Sequence, residues 1–531
     1  MNNKQFTLKN YLNSNEVLRR AFGACVLLLC VLISQNASAQ SGKKKVKLIH
    51  TDELEYDRDL IDAQRLLGNV HLEYEGTHFY CDSAYLYKNE DFDAFSRIRI
   101  VESSGYLVNG EFLHFDKKTQ TAKMERNIVL RDKDITLTTN DLIYNLETDV
   151  ANYFGGGKIV SNVNKNTLTS RKGIYLSRNE MFFFRDNVVL TNPDYKVNCD
   201  TMQYDSRGEI SYFYGPTNIV GDKTTIYCEN GYYNSKKDQS RFGINAVITS
   251  DKTTLKGDSI YYDGVLGRGE VFRNVLIRDT TNNYVISGEY GRHNEKSKES
   301  FVTGRALMTQ IFDEDSLFMH ADTLRSVSDT SGKDIVYAYR HVKLFKGDLQ
   351  GKCDSLVYSE MDSTMRMFSK PILWSAQNQV TGDSISIQME SGKMKSFFVR
   401  NNSFIISDAE AKGDSIVGSG KYNQIKGRHM KGLFVDNELA EVYVEGNGQL
   451  IYFPTDDKSG KPLAMGINKG ECSNMNITVQ DNQLTKVRLE TETNSVFTPM
   501  RMSKVEMFQL ENFTWRKDER PMQMSDIFLI N

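Results

Sequence analysis

A short sequence phrase returns about every thirtieth residue through most of this chain. The phrase consists of a small residue, an acid, Ser or Thr, and an aliphatic residue, as in Cys81–Ala84 and Gly257–Ile260. A fixed period of this size is typical of chains that stack one small structural unit many times, so we expect an array of repeats. The acid, or the residue in its place, occurs at Asp52, Asp82, Glu111, Asp141, Lys172, Asp200, Glu229, Asp258, Glu289, Asp322, Asp354, Asp383 and Asp414.

The alternation of apolar and polar residues within one repeat predicts strands. In residues 255–280 this alternation occurs on both sides of a Gly-rich link. The chain contains 27 Tyr and 28 Phe but only 7 Pro, a composition that favours paired strands. The predicted fold class is therefore all-β: an elongated, solenoid-like array of about thirteen repeats, followed by a small β-rich C-terminal module.

The first 39 residues are predicted to be a cleavable signal peptide. Arg19 and Arg20 precede a short apolar run, which is followed by the small-x-small cleavage site Ala37–Ala39. The mature chain is expected to begin at Gln40 and to be exported. The apolar run is short for a membrane span, which makes an uncleaved anchor the weaker alternative.

The repeat array is predicted over residues 40–430 and a different module over residues 431–531. In the second segment, residues 436–445 are echoed by residues 481–490. Terminal repeats are usually atypical because they cap an open end, so this module is expected to cap the array or to dock. Its aromatic and basic tail, residues 513–521, is expected to pack on the module or on a partner.

The cysteines and the net charge indicate neither a disulfide framework nor a nucleic-acid-binding surface. Cys81, Cys199, Cys228 and Cys353 occupy the small-residue position of the phrase, which favours compact packing over a disulfide framework. Cys199 and Cys228 lie in consecutive repeats, so one bridge between them stays open as an alternative. The formal net charge is −3, whereas nucleic-acid-binding proteins usually carry an excess of basic residues, so no nucleic-acid partner is expected.

The repeated acids are interpreted as structural, because Asp beside an expected turn commonly accepts backbone hydrogen bonds. The sequence has no EF-hand loop and no HExxH spacing, and Ser419 stands where a phosphate loop requires Lys. We predict no catalytic residue, no metal site and no cofactor. The Asp-Ser/Thr triplets also fit an O-glycosylation pattern, which the sequence leaves open.

A second landmark follows each acid: Asn, Gly or His precedes aliphatic residues at alternate positions, as in Asn187–Leu190 and Asn274–Ile277. These landmarks keep the spacing of the acids. Neighbouring units should therefore place like positions side by side and bury one continuous apolar lining.

The recurring phrases resemble the OstA/LptA family of lipopolysaccharide-transport proteins. The matching text is Leu67–Val70, Tyr80–Ala84, Leu137–Asp141 and Leu255–Tyr262, and the resemblance covers residues 46–430. It implies an open β-jellyroll of antiparallel strands that carries lipid A acyl chains in the groove between its sheet faces. It also implies a periplasmic location and docking to other lipopolysaccharide-transport components at the inner and outer membranes.

On this resemblance the chain is expected to be a non-enzymatic carrier or bridge for lipopolysaccharide. Association with the outer membrane and end-to-end self-association stay open. So do two other classes: an exported polysaccharide-active β-helix enzyme, which would cluster its acids on one or two coils, and an adhesive surface solenoid. The residues expected to face acyl chains are the aliphatics of the second landmark, Val70, Leu72, Ile128, Leu130, Val188, Leu190, Val275, Ile277, Val342 and Leu344.

Overall fold

A computed structural model describes residues 45–56, 62–101, 107–131, 135–161, 166–281, 283–294, 296–312, 315–328, 333–390, 393–409, 420–435, 438–456, 463–480 and 483–529. Across these ranges the regular elements are β-strands and short 3-10 helices, and no α-helix is assigned. The all-β prediction is confirmed. The predicted signal peptide, Asp414 and Ser419 lie outside the described residues.

The chain divides into two compact units, one ending at Val271 and the other beginning at Phe272. The strands of the N-terminal unit are β1 (Lys47–His50), β2 (Glu53–Tyr56), β3 (Ala63–Tyr74), β4 (Thr77–Tyr87), β5 (Phe92–Val101), β6 (Leu107–Asp116), β7 (Thr121–Arg131), β8 (Ile135–Asn145), β9 (Val150–Tyr153), β10 (Gly157–Ser161), β11 (Thr167–Ser170), β12 (Lys172–Leu176), β13 (Met181–Thr191), β14 (Tyr195–Asp205), β15 (Ile210–Gly221), β16 (Thr224–Asn234), β17 (Gln239–Ser250) and β18 (Thr253–Asp263). A 3-10 helix spans Ser177–Asn179.

Strand β19 (Arg268–Asp279) contains the division between the units. The following strands are β20 (Tyr284–Asn294), β21 (Glu299–Ile311), β22 (Ser316–Ser328), β23 (Asp334–Lys346), β24 (Leu349–Ser359), β25 (Thr364–Phe368), β26 (Ile372–Ser375), β27 (Asn378–Thr381), β28 (Ser384–Glu390), β29 (Lys393–Asp408), β30 (Tyr422–Val435), β31 (Glu438–Tyr452), β32 (Thr455–Asp456), β33 (Leu463–Ala464), β34 (Gly466–Gln480), β35 (Gln483–Glu490) and β36 (Asn494–Pro499). Four 3-10 helices span Met500–Met502, Val505–Met507, Lys517–Glu519 and Met524–Phe528.

Consecutive strands pair antiparallel through most of each unit. In the N-terminal unit, β3 to β8 pair in series, and so do β13 to β18. In the C-terminal unit, β20 to β24 pair in series, and β29, β30, β31 and β34 follow one another. The expected boundary at residue 430 falls inside β30, which pairs with strands on both sides of it.

Most of the long strands bend once near the middle, at a β-bulge. Between β4 and β5, for example, the pairing stops at Tyr80 opposite Arg99 and resumes at Ser83 opposite Phe95. The bulge residues Ser96 and Arg97 have φ angles of 64° and 46°. An extra residue of this kind bends a strand and locally increases its twist.

The bend also changes which alternate positions face the interior. In β22, Met319 and Ala321 are buried before the bend, and Leu324 is buried after it. Both halves of a strand therefore contribute apolar side chains to one concave interior, as in a jellyroll. In the first repeats this interior is filled: Phe92, Leu113 and Phe115 have no exposed surface.

The C-terminal tail, residues 500–529, crosses the outer face of the C-terminal unit in the direction opposite to the strand order. The side chain of Gln424 on β30 accepts a hydrogen bond from the backbone N–H of Leu510 at 2.8 Å and donates to the carbonyl of Phe508 at 2.6 Å. Gln379 on β27 makes the same pair of contacts with the N–H of Arg516 and the carbonyl of Thr514, both at 2.8 Å. We call this segment the strap.

The strap reaches strands that precede residue 430, so it packs on more than the expected C-terminal module. Near its end, Lys343 on β23 donates to the carbonyl of Leu529 at 2.5 Å. At its beginning, Leu510 joins a buried cluster on the outer face with Ile406, Ile451 and Phe453. The strap therefore forms a second apolar core on the face opposite the concave interior.

Candidate functional site

Most of the repeated acids lie in mid-strand, opposite the bulge of the next strand, and not beside a turn as the sequence analysis expected. Asp52 and Asp383 lie in short breaks between two strands. Asp52 accepts a hydrogen bond from the Asn69 side chain at 2.8 Å, and Glu229 accepts one from Asn245 at 2.8 Å. At Lys172 a cation occupies the position of the acid, and the acid lies at the bulge instead: the ammonium of Lys172 pairs with the carboxylate of Asp186 at 2.8 Å. Since an acid and a lysine fill the same position, the contact serves to hold the bend.

The bulge residues explain the second sequence landmark. Asn187 and Asn274 have φ angles of 58° and 51°, a left-handed conformation that Asn tolerates better than most residues. At Gly68, whose φ is 74°, a Cβ atom would lie 2.3 Å from the carboxylate of Asp52. The landmark therefore marks the bend, and the aliphatic residues that follow it turn towards the interior.

The concave interior of the C-terminal unit contains a cavity of about 360 Å³. Both halves of the bent strands line it, with Val302 and Met308 from β21 and Met319 and Leu324 from β22. An engineered cavity of roughly 150 Å³ lined by aliphatic and aromatic side chains binds benzene. The larger volume here accommodates a hydrocarbon chain.

The cavity is apolar in its middle and polar where the strands end. Ser326 and Asp334 lie at one set of strand ends, next to the end of β22 and the start of β23. Gln310 lies near the other set, at the end of β21. Ligand sites commonly combine apolar walls with a few polar groups that fix orientation. The arrangement fits an amphiphile whose chain enters the middle.

The expected groove residues face the interior, and one of them lines this cavity. Val70, Leu72 and Ile128 belong to the filled core of the first repeats, and Leu130 packs against that core. Val188, Leu190, Val275, Val342 and Leu344 are also buried. Ile277 is 7% exposed and lines the cavity.

Sequence reasoning missed most of the cavity lining. Met308, Met319 and Met365 were not among the expected groove residues, and neither was Leu324, which is the aliphatic residue of the repeated phrase at Asp322. The cross-strand register brings them together: Met308 lies opposite Met319. Unbranched methionines adapt to irregular space, and their enrichment here was the one signal the sequence offered.

Cys199 and Cys228 are free thiols, and the bridge that the sequence left open is absent. They lie on β14 and β16, with β15 between them. Two strand spacings amount to about 9.5 Å, beyond the roughly 7 Å Cα separation that a disulfide spans. Burial raises the pKa of both thiols to about 12, so neither is reactive near neutral pH.

His293 is the most strongly perturbed histidine near the cavity. It is 3% exposed, and its Nδ1 lies 2.8 Å from the hydroxyl of Ser300, which lines the cavity. Burial lowers the pKa of His293 from 6.5 to about 4. The imidazole is therefore neutral in the folded protein at neutral pH.

This burial predicts a pH-dependent loss of stability. The unfolded chain takes up a proton at His293 below pH 6.5 and the folded chain only near pH 4, so stability falls across that window as the pH is lowered. The pKa shift corresponds to about 3 kcal/mol of unfolding free energy. We expect His293→Gln to lose the part of the pH dependence of stability that comes from His293. Urea unfolding of the wild-type and variant proteins at a series of pH values measures it, because the difference between their unfolding free energies should change with pH. Parallel pH curves would contradict it.

None of the helices in the described ranges is both long and apolar enough to cross a bilayer. Within the same ranges, no three His, Cys, Asp or Glu side chains are grouped so as to hold a metal ion.

Comparison with known families gives two matches. A family model described as OstA-like protein matches residues 43–200, and one described as LptA/(LptD N-terminal domain) LPS transport protein matches residues 290–393. The comparison with curated proteins found no match. Apart from Ile277, Tyr284 and Ile286, every residue that lines the cavity lies inside the second matched segment.

Proposed function

This is an OstA/LptA-like protein, and from that premise we propose that it is a lipopolysaccharide carrier or bridge of the cell envelope that holds acyl chains inside its concave interior. The family's role is lipopolysaccharide transport. The observation that carries the proposal is the apolar cavity of about 360 Å³ in the segment that matches the LptA-like model.

The energetics of the cavity favour hydrocarbon. Each methylene moved from water to an apolar site contributes about 0.8 kcal/mol. Val302, Met319 and Leu324 supply such walls, while Ser326 and Asp334 at the strand ends can face the polar part of the lipid. Holding and passing on a lipid requires no covalent step, so the protein acts as a carrier and not as an enzyme.

The terminal strands support docking to other transport components. On β1 and β2, Ile49 and Leu54 are 50% and 51% exposed. On β36, Val496 and Phe497 are 56% and 53% exposed. Exposed apolar side chains on terminal strands favour pairing with a strand of another chain. The partners we propose are lipopolysaccharide-transport proteins at the inner and outer membranes. The chain would meet them from the periplasm, where it is placed after cleavage of its signal peptide.

Binding of intact and deacylated lipopolysaccharide tests the proposal. We expect the purified mature chain to bind intact lipopolysaccharide saturably and to bind the fully deacylated carbohydrate at least about 100-fold more weakly, because the acyl chains provide the apolar contact. Isothermal titration with both ligands measures the difference. Equal affinity for the two would show that the sugar is recognised and the cavity is not used.

A further inference from the structure

One wall of the cavity carries a row of uncharged polar side chains. His293 lies opposite Ser300, Ser300 opposite Ser326, Ser326 opposite Val336, and Val336 opposite Tyr358. Residues directly opposite one another in antiparallel strands share a face of the sheet. We call His293, Ser300, Ser326 and Tyr358 the hydroxyl row. Its last three members line the cavity.

The hydroxyl row has unused hydrogen-bonding capacity. The Nδ1 of His293 is engaged with Ser300 at 2.8 Å, but the described residues offer its Nε2 no partner. This nitrogen belongs to a side chain that is 97% buried, since the residue is 3% exposed. Buried polar atoms are nearly always paired, because leaving one unpaired destabilises the fold. His293 does not itself line the cavity, so its part in the row is to hold the Ser300 hydroxyl, which does line it.

The fold does not require polar residues at this row. In the first repeats the corresponding cross-strand row is Leu86, Phe92 and Phe115, in direct register. Phe92 and Phe115 are fully buried there and fill the interior. In β14–β18 the same row is polar and fully packed, with Tyr204, Ser211, Tyr233, Ser240 and Tyr262 all buried. What distinguishes the row at the cavity is that Ser300, Ser326 and Tyr358 line open space that a ligand can enter.

We propose that the hydroxyl row recognises uncharged hydroxyl and carbonyl groups on the acyl chains of the bound lipid. The ligand class is a hydroxylated acyl chain in ester or amide linkage, with its hydrocarbon against Val302 and Leu324. Ser and Tyr hydroxyls both donate and accept hydrogen bonds, which matches hydroxyl and carbonyl partners. This inference rests on the proposed function, because it requires an acyl chain in the cavity.

A pair of single-chain probes tests the proposal without lipopolysaccharide. Methyl decanoate and methyl 3-hydroxydecanoate differ by one hydroxyl and carry no charge. We expect the full-length mature chain to bind the hydroxylated ester about fivefold more tightly, the usual net effect of one hydrogen bond. In the Ser300→Ala and Ser326→Ala variants the ratio of the two affinities should fall towards one. Their affinity for methyl decanoate should stay within about twofold of the wild-type value.

Ser386→Ala is the matched control. Ser386 lies in β28 between the buried residues Ile385 and Ile387, so it faces away from the interior. This variant should keep the full preference for the hydroxylated ester. A wild-type protein that binds both esters equally, or Ser300→Ala and Ser326→Ala variants that keep the preference, would overturn the role of the hydroxyl row. Failure of both esters to bind would instead count against the proposed acyl-chain site.

Discussion

Deleting residues 500–531 is expected to unfold the C-terminal unit or to lower its unfolding midpoint steeply. The strap buries Leu510 and Ile527, which are 5% and 1% exposed. Its removal would also uncover Ile406 and Ile451 on the outer face. Burying one large aliphatic side chain contributes about 1.5–3 kcal/mol, so the loss should exceed about 5 kcal/mol. That approaches the whole stability of an ordinary domain.

Two point variants separate this packing effect from the effect of shortening the chain. Leu510→Ala should cost about 2–5 kcal/mol, the usual range for a buried leucine. Val505→Ala, at a strap residue that is 76% exposed, should change stability by less than about 0.5 kcal/mol. Denaturant unfolding followed by circular dichroism measures all three proteins. An unchanged midpoint for the deletion would show that the strap does not stabilise the sheet.

Much of the fold could be predicted from the sequence, because its signals are local and recur. Alternating residues in each repeat predicted strands, and β-strands are what the structure has. Asn187 and Asn274 marked recurring positions before the aliphatic residues, although their role as bulge residues became clear only from their φ angles. Regular spacing also indicated that like positions would lie side by side.

The site was harder to predict because it depends on long-range register and on unfilled space. The sequence pattern of Val70 and Leu72 resembles that of Val275 and Ile277, yet the first pair packs in a filled core and Ile277 lines a cavity. What differs is the rest of the interior: in the first repeats Phe92 and Phe115 belong to the same buried core as Val70 and Leu72. The acid contacts were missed for a related reason, since their partners lie 15 to 19 residues further along the chain.

Val336→Trp is expected to abolish most lipopolysaccharide binding while the protein stays folded. Val336 lines the cavity and is half-buried, so an indole in its place can occupy space that an acyl chain would otherwise take. The cavity of about 360 Å³ leaves room for that ring, which limits the strain of overpacking. Val357→Trp is the matched control, because Val357 lies on β24 opposite Tyr337, on the face away from the interior.

Equilibrium titration of lipopolysaccharide into the wild-type, Val336→Trp and Val357→Trp proteins tests most directly whether the interior holds the acyl chains. We expect Val357→Trp to match the wild type and Val336→Trp to bind at least about tenfold more weakly, a loss of about 1.4 kcal/mol. Wild-type affinity in a folded Val336→Trp protein would contradict an acyl-chain site in this cavity.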